Sequence, residues 1–396
     1  MSNSVSFLKY RDVADFRNGL NFSKESHGKG CLLIGVADFK DYFSPQWTSL
    51  GEINPFDVAK EDDYLKKGDI IFVRSNGNKA LVGRSLYIDR DVKSLFSGFC
   101  IRARPKTDDF YPLFLAYFAK TKRFSSSINS VAGTNINNLN QDILGNVKIP
   151  LYSKNIQKSI VDVLSSIDKK IDLNNRINVE LEAMAKTLYD YWFVQFDFPD
   201  ANGKPYKTSG GKMVYNETLK REIPAIWNSC KLSEFIKLEY GKPLKSENRT
   251  GSGYPVFGSS GIVGFHNDYL VEGPGIIVGR KGTVGKVNFS FENFYPIDTA
   301  YYVNPKKRIS MIFLNYLISS LGLESMNSDS AVPGLNRETA LGISIVSAPL
   351  ELISKYHEHV VGWFDKKKLI VEENNTLIKL RDWFLPLLMN GQVTVK

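Results

Sequence analysis

Residues 160–181 read IVDVLSSIDKKIDLNNRINVEL. From Ile160 to Trp192, side chains suited to face a partner helix return at alternating spacings of four and three residues, over more than four heptads. The positions of this seam are Ile160, Leu164, Ile167, Ile171, Asn174, Asn178, Leu181, Ala185, Leu188 and Trp192. The pattern predicts a long helix within residues 151–193 that packs against another helix as a left-handed coiled coil.

A second stretch, residues 350–388, follows the same alternation less regularly. Its seam positions are Ile353, His357, Val360, Phe364, Lys367, Val371, Asn374, Ile378, Arg381, Leu385 and Leu388. Either helix alone could be an ordinary amphipathic helix in a core. At about 40 residues and roughly 60 Å, however, each is too long for that. We therefore expect the two helices to pair with each other as an antiparallel coiled coil.

Polar residues interrupt both seams. Asn174 and Asn178 would destabilise the first seam unless they are hydrogen-bonded, and Asn374 or Asn375 on the second helix could be their partners. Such asparagines usually set the register of a helix pair at some cost in stability.

Two cations and a proline also bear on the second helix. Lys367 and Arg381 fall on its seam, so the pattern leaves the pairing register open. Pro386 is expected to cut this helix near its end, and Asn390-Gly391 to close it.

Four sequence elements occur twice, in the same order and with a period near 200 residues. The first copy contains residues 68–74, 82–84, 132–138 with Leu144-Gly145, and Ile149-Pro150; the second contains residues 275–280, 284–286, 331–337 with Leu341-Gly342, and Ala348-Pro349. Each copy leads into one of the long helices. The chain is therefore predicted to have a pseudo-two-fold internal repeat: globular module, long helix, globular module, long helix.

Both modules read as mixed α and β, so the predicted fold class is α+β. Short runs rich in Ile, Val, Phe and Tyr alternate with glycine turns, as expected for strands. One helix is predicted in each module, at residues 111–123 and 311–321.

Composition excludes several classes of protein. Of the 396 residues, 43% are hydrophobic and 23% charged, the balance of a soluble globular protein. No apolar run is long enough to span a bilayer, and the N-terminus lacks a signal-peptide pattern. Three widely spaced cysteines and four histidines offer neither a disulfide framework nor a metal-ligand spacing. We expect a cytoplasmic, reduced protein without a metal or cofactor.

The net charge of +9 is located in the modules. Residues 153–193 carry six basic and six acidic side chains, and residues 350–396 carry seven and six, which leaves +8 for the rest of the chain. Basic surface favours an anionic partner such as DNA, because neutralised phosphates release counterions. The long helices are close to neutral and suit a scaffold.

Glycine-rich loops in the modules supply candidate DNA contacts. Arginine and asparagine pair with guanine and adenine edges, whereas lysine, serine and threonine suit phosphates. The candidates are Arg74, Asn76, Lys79, Arg84, Lys242, Ser259, Ser260, Arg280, Lys281 and Thr283. A solvated surface loop is the simpler reading of each residue taken singly.

The sequence lacks the common catalytic motifs. The chain has no GxxxxGK[ST] phosphate loop and no GxGxxG spacing, and residues 258–261 (GSSG) resemble a nucleophile elbow only loosely. Asn54-Pro55-Phe56 lacks the second proline of an adenine methyltransferase motif, and Pro199-Asp200 has no carboxylate partner at nuclease spacing. These absences indicate a chain that binds rather than catalyses.

The helical stretch and its flanks resemble the central region of type I restriction-modification specificity subunits. The matching residues are 133–139, Ile149-Pro150, Gln157, Leu164, 167–171, Asn174, Asn178, 181–185, Leu188-Tyr189, Trp192-Phe193 and 196–199, with a looser repeat at Pro349, 364–367, Asn374-Asn375, Leu380-Arg381, Leu387 and Gly391. The resemblance implies target-recognition domains at residues 1–152 and 199–348. It also implies helical regions at residues 153–198 and 349–396.

The resemblance also implies a mechanism. Each recognition domain would read one half of a split, asymmetric site in double-stranded DNA, and the paired helices would hold the two domains apart. Two modification subunits would use S-adenosylmethionine to methylate adenine, and motor-nuclease subunits would join to cut unmethylated DNA. The chain itself would be non-catalytic.

Two other interpretations stay open on sequence grounds. One is a standalone DNA methyltransferase or nuclease with divergent motifs, which S-adenosylmethionine binding would reveal. The other is a coiled-coil scaffold that does not bind DNA, which a salt-dependent DNA affinity would exclude.

The loop arginines give a first prediction. Arg74→Ala or Arg280→Ala should abolish sequence discrimination in one half-site only, measured by binding to duplexes with each half randomised. Equal loss of affinity for every sequence would instead identify them as phosphate contacts.

Overall fold

The computed structural model describes residues 6–23, 26–40, 42–56, 58–132, 138–326 and 334–393. Its helices are α1 (Tyr10–Val13), α2 (Pro112–Ala119), α3 (Lys122–Ala132), α4 (Gln141–Gly145), α5 (Lys154–Tyr189), α6 (Met311–Ser319), α7 (Arg337–Leu341) and α8 (Leu350–Met389). The strands before α5 are β1 (Ser6–Lys9), β2 (Ala14–Asn18), β3 (His27–Ile34), β4 (Gly51–Ile53), β5 (Ile70–Val73), β6 (Ser85–Tyr87), β7 (Ser94–Phe96), β8 (Cys100–Pro105) and β9 (Lys148–Leu151). Those after α5 are β10 (Met213–Asn216), β11 (Arg221–Pro224), β12 (Asn228–Lys231), β13 (Ile236–Tyr240), β14 (Tyr254–Gly258), β15 (Gly261–His266), β16 (Gly275–Gly279), β17 (Val287–Ser290), β18 (Tyr295–Pro296), β19 (Ala300–Pro305) and β20 (Ser344–Ser347).

The chain forms two compact units, and each long helix contributes to both. Unit 1 comprises residues 1–173 and 374–396, and unit 2 comprises residues 174–373. The structure thus groups half of α5 and half of α8 with each module, whereas the sequence treats the helices as separate regions. The four-region division of the sequence stays a prediction.

The sheets of the two units have the same topology, which confirms the internal repeat and the α+β fold class. Unit 1 has a four-stranded sheet in the order β2-β8-β5-β6, and unit 2 has one in the order β13-β19-β16-β17. A three-stranded sheet, β4-β3-β7, corresponds to β15-β14-β18. The pairs β1-β9 and β12-β20 also correspond. The hairpin β10-β11 is an addition in unit 2.

The repeat extends to the backbone hydrogen bonds where the buried strands β5 and β16 end. In unit 1, Val73 exchanges hydrogen bonds with Gly83 and Arg84, both at 2.9 Å. The equivalent bonds in unit 2 join Gly279 to Gly285 and Lys286, both at 2.8 Å. Both turn glycines have positive φ, a conformation that glycine adopts at little cost.

The segment before α4 and α7 aligns differently from the prediction. Leu139 and Leu335 are equivalent, because their N–H groups donate to Arg74 O at 2.7 Å and Arg280 O at 2.8 Å. The next residues cap the short helices: Asn140 accepts from Ile143 N–H at 2.8 Å, and Asn336 from Thr339 N–H at 3.0 Å. The match of residues 132–138 with 331–337 is therefore displaced by three positions; residues 133–137 and 331–333 lie outside the described residues.

In unit 1, α2 and α8 meet α5 at one carboxylate. Tyr117 Oη donates to Asp168 Oδ2 at 2.6 Å, and Arg381 Nη1 donates to Asp168 Oδ1 at 3.1 Å. Burial raises the pKa of Tyr117, so its hydroxyl stays protonated and available to donate. Tyr152, just before α5, donates to Met389 O at 3.2 Å, so α5 and α8 run antiparallel in this unit.

Unit 2 contains a chemically similar junction. Tyr316 of α6 donates to Glu182 Oε1 at 2.7 Å, and Lys367 of α8 pairs with Glu182 Oε2. Further along, Tyr356 Oη donates to Ala185 O at 2.9 Å. Later residues of α5 again contact earlier residues of α8, which confirms antiparallel pairing within this unit.

Most predicted pairing residues are removed from solvent. The buried ones are Ile160, Leu164, Asn174, Val360, Phe364 and Asn374, and the half-buried ones are Ile171, Asn178 and Leu181. The prediction of Ile378 is wrong, because its side chain is 38% exposed while Leu377 is half-buried. Residues three and four positions apart share a helix face, so the pattern alone could not choose between neighbours.

Other helix predictions need correction. The single helix predicted at residues 111–123 is two helices, α2 and α3. Pro386 does not cut α8, which continues to Met389; a proline this close to the C-terminus removes only one hydrogen bond. Closure after Asn390 is confirmed, since Gly391 has a φ of +69° and Gln392 N–H donates to Leu387 O at 2.9 Å.

The two seam asparagines differ in their partners. Asn174 Nδ2 donates to Glu373 Oε2 at 2.8 Å. Within the described chain, the buried Oδ1 of Asn178 has no hydrogen-bond partner, so the expected pairing with Asn374 or Asn375 is wrong for this atom. An unsatisfied buried acceptor is destabilising.

Leucine substitutions should therefore differ at these two positions. Asn178→Leu should raise the free energy of unfolding by about 1–2 kcal/mol, because it removes an unsatisfied polar group. Asn174→Leu should raise the free energy of unfolding by less, because it also removes the hydrogen bond to Glu373. Urea unfolding of both variants measures this; equal gains would contradict the assignment.

Two glycines at equivalent strand ends should tolerate no side chain. A Cβ on Gly19 would lie 2.1 Å from Ser97 O, and one on Gly241 would lie 2.2 Å from Ile297 O. Because these are backbone atoms, Gly241→Ala should cost about 1–3 kcal/mol in unfolding free energy. Gly251→Ala is the control, since nothing lies within 4 Å of its Cβ position; equal thermal midpoints would disprove the close packing.

Candidate nucleic-acid interface

In unit 2, the predicted residues Arg280, Lys281 and Thr283 lie in the turn between β16 and β17. The backbone N–H groups of Arg280 and Lys281 both donate to Thr299 O, at 2.9 and 3.1 Å. Lys281 also forms a β-bridge with Gly334. The backbone of the turn is thus anchored on two sides, while the side chains of Lys281 and Thr283 are exposed and that of Arg280 is half-buried.

The predicted serines lie against this turn. Ser259 and Ser260 connect β14 to β15, and a Cβ on Gly282 would lie 3.4 Å from Ser259 Oγ. A Cβ on Gly279 would lie 2.9 Å from Ser259 O. Lys286 Nζ donates to Ser260 O at 2.8 Å. The structure therefore brings together loops that are about twenty residues apart in the sequence.

Lys242 belongs to the same edge of unit 2. Its backbone N–H donates to Pro296 O at 3.0 Å, next to the segment that anchors the Arg280 turn, and its side chain is exposed. The six residues predicted in unit 2 thus converge on one edge.

Sequence reasoning missed an aromatic-basic cluster at this edge. The guanidinium carbon of Arg280 lies 4.7 Å from the ring centroid of Tyr240 and 5.8 Å from that of Tyr301, and that of Arg337 lies 5.2 Å from Tyr240. Arg280 Nη1 also donates to Asp298 O at 3.1 Å. Tyr240 is 45% exposed, whereas Tyr301 is buried. Two features of the sequence could have indicated this cluster: an aromatic residue before the Gly241 turn and an arginine after a helix cap.

In unit 1, the predicted residues Arg74, Asn76, Lys79 and Arg84 all lie in the loop between β5 and β6. Arg74 N–H donates to Phe99 O at 2.8 Å, the counterpart of the Arg280–Thr299 bond.

The side chain of Asn76 stabilises the backbone of this loop. Its Oδ1 accepts from Asn78 N–H at 2.7 Å and so shapes the turn before the short 3₁₀ helix Lys79–Leu81. Lys79 is exposed and Arg84 is half-buried. Phe99, which the sequence reading missed, is 58% exposed beside Arg74. The two edges thus share anchors but present different side chains.

The described residues offer binding chemistry at these edges. Among them, no group of three or more His, Cys, Asp or Glu could hold a metal ion. Burial raises the pKa of Cys31 to about 11 and of Cys100 to about 12, so both remain thiols rather than nucleophilic thiolates. None of the described helices is long and apolar enough to cross a membrane. Arginine, lysine and exposed aromatic rings suit phosphates and base edges.

The chain is similar in sequence to known specificity subunits of type I restriction enzymes. A family model described as the type I restriction modification DNA specificity domain matches residues 4–183 and 224–345. The chain is 26% identical to the type I restriction enzyme MjaIX specificity subunit of Methanocaldococcus jannaschii, over 98% of this chain and 93% of that protein. It is 24% identical to the HindI specificity subunit of Haemophilus influenzae, over 83% of this chain and 87% of that protein.

A solved structure supports the fold. The crystal structure of the S subunit of a type I restriction-modification system from M. genitalium matches with a TM-score of 0.56 and 19% identity, covering 98% of this chain and 97% of that one. The family model alone covers most of the chain, including parts of both units. The chain therefore belongs to the type I restriction modification DNA specificity family.

Proposed function

We propose that this DNA specificity subunit binds a bipartite, asymmetric duplex site, and that the edge of each unit reads one half. The observation that carries the proposal is the equivalence of the two edges. The same sheets and backbone hydrogen bonds present Arg74 in unit 1 and Arg280 in unit 2. Two edges with equivalent backbone structure can bind DNA in equivalent ways.

The asymmetry of the proposed DNA site follows from the side chains at the two edges. Four equivalent pairs differ in chemistry: Asn18 and Tyr240, Leu20 and Lys242, Phe99 and Thr299, Gln141 and Arg337. Donors, acceptors and apolar groups read different base edges. Two edges with different groups at the same places therefore read different half-sites.

Partner subunits are proposed to bind the long helices. Apolar side chains remain exposed on α5 and α8 outside the helix-helix seams; the largest exposed fractions are those of Val179 (66%), Leu369 (59%), Trp383 (59%), Leu350 (49%) and Met184 (47%). Exposed apolar patches commonly mark protein-protein interfaces. We assign these surfaces to two modification subunits, which methylate adenine in each half-site, with motor-nuclease restriction subunits joining the full complex.

The chain itself is proposed to be non-catalytic and to need no cofactor. S-adenosylmethionine belongs to the modification subunits in this scheme. The chain is proposed to act in the cytoplasm, where chromosomal DNA and partner subunits are available and where free thiols such as Cys31 and Cys100 persist.

Adenine methylation across the genome tests this function. The host, or a methylation-free strain carrying the modification gene, is sequenced with and without this chain. Methylation should appear at one split motif of two short, different half-sites only when the chain is present. A palindromic motif would contradict the asymmetry, and methylation without the chain would contradict its role as specificity subunit.

A further inference from the structure

Tyr240 holds two arginines at the proposed DNA-reading edge of unit 2. Arg280 and Arg337 lie 4.7 and 5.2 Å from the centroid of its ring. The two residues are far apart in the sequence: Arg280 follows β16, and Arg337 begins α7. Only the folded structure brings both guanidinium groups next to the same aromatic ring.

The position of Arg280 is fixed before any DNA arrives. Its backbone N–H donates to Thr299 O, and its carbonyl accepts from Leu335 N–H. Its guanidinium is stacked on Tyr240 and donates one N–H to Asp298 O. The guanidinium also hydrogen-bonds the Tyr301 hydroxyl, so these two contacts engage two of the five N–H donors of an arginine.

Arg337 is held less tightly. Its Nε donates to Glu338 Oε1 at 3.1 Å, and the Glu338 side chain is 76% exposed. Exposed ion pairs of this kind contribute little and exchange easily with a competing anion. The ring of Tyr240 is therefore its main positioning contact among those described.

Such stacking prepares a guanidinium for base recognition. A planar guanidinium stacks on aromatic rings and donates two parallel hydrogen bonds to guanine O6 and N7 in the major groove. A side chain that is already ordered loses less entropy on binding. Since both cations lie close to one ring, they can reach bases separated by no more than about three base steps.

At the equivalent positions, which the structure describes, unit 1 does not have this arrangement. Strand pairing places Asn18 opposite Ile101, where unit 2 has Tyr240 opposite Tyr301. Gln141, after the capping Asn140, takes the place of Arg337. The two-arginine set therefore distinguishes one edge from the other.

The geometry points to Tyr240 as a positioning residue that holds Arg280 and Arg337 against guanines in the half-site read by unit 2. The inference rests on the proposed function and specifies part of its target. The half-site of unit 2 contains guanine at one or two positions, and its recognition depends on the ring of Tyr240 rather than on its hydroxyl.

The test uses the full chain in complex with its modification subunits and a duplex library with both half-sites randomised. Wild type should select guanine in one half. Tyr240→Ala should lower the preference for those guanines about ten- to hundredfold and leave the other half unchanged. Tyr240→Phe should keep the preference, because the ring remains.

Matched variants separate positioning from folding. Asn18→Ala, at the equivalent place in unit 1, should leave the unit 2 half unchanged. The thermal midpoint of Tyr240→Ala should stay near that of wild type, since the side chain is 45% exposed. Rescue by phenylalanine and confinement to one half are results that a general loss of structure would not give.

Three results would overturn the inference: no guanine in either selected half, an unchanged guanine preference in Tyr240→Ala, or a uniform loss of affinity with a smaller salt dependence, which identifies phosphate contacts. The proposed function fails separately, if the wild-type complex selects no sequence in either half.

Discussion

A partly shielded carboxylate on α5 organises each unit. It accepts hydrogen bonds from a tyrosine of the module helix and from a cation of α8; the two sets are Asp168 with Tyr117 and Arg381, and Glu182 with Tyr316 and Lys367. A carboxylate that is partly removed from water is stabilised by such partners. In each unit these contacts join α8 to α5 and attach the module to both. The sets are not copies made by the repeat, because both carboxylates lie on α5.

The scaffold keeps the reading edges constant while their side chains vary. In both units the strand before the key arginine is buried, its turn is closed by a glycine, and its carbonyl accepts from a leucine N–H. These are backbone bonds, so they place no demand on the neighbouring side chains. Asn18 and Gln141 can therefore occupy one edge, and Tyr240 and Arg337 the other, without altering the frame. Under the proposed function, a change of target needs only a change of these side chains.

The sequence predicted what depends on periodicity and on repetition along the chain. The long helices, the repeat and the loop containing Arg280 are where the patterns place them. Predictions failed where two neighbouring residues satisfied one pattern equally: Ile378 was chosen, but it is exposed while Leu377 is half-buried. They also failed where a contact joins distant segments, as with Arg337 and Tyr240. A heptad pattern carries no information about which residue of another element will be opposite.

The amino-acid sequence by itself therefore determined the family, the α+β class, the two-module organisation, the location of the basic charge in the modules and the candidate loops. Local spacing and composition are sufficient for each of these. Tertiary structure alone decided the register of α5 and α8 within each unit, the partners of Asn174 and Glu182, and the grouping of two arginines on Tyr240. These depend on contacts between residues far apart in the chain, and such contacts exist only once the chain has folded.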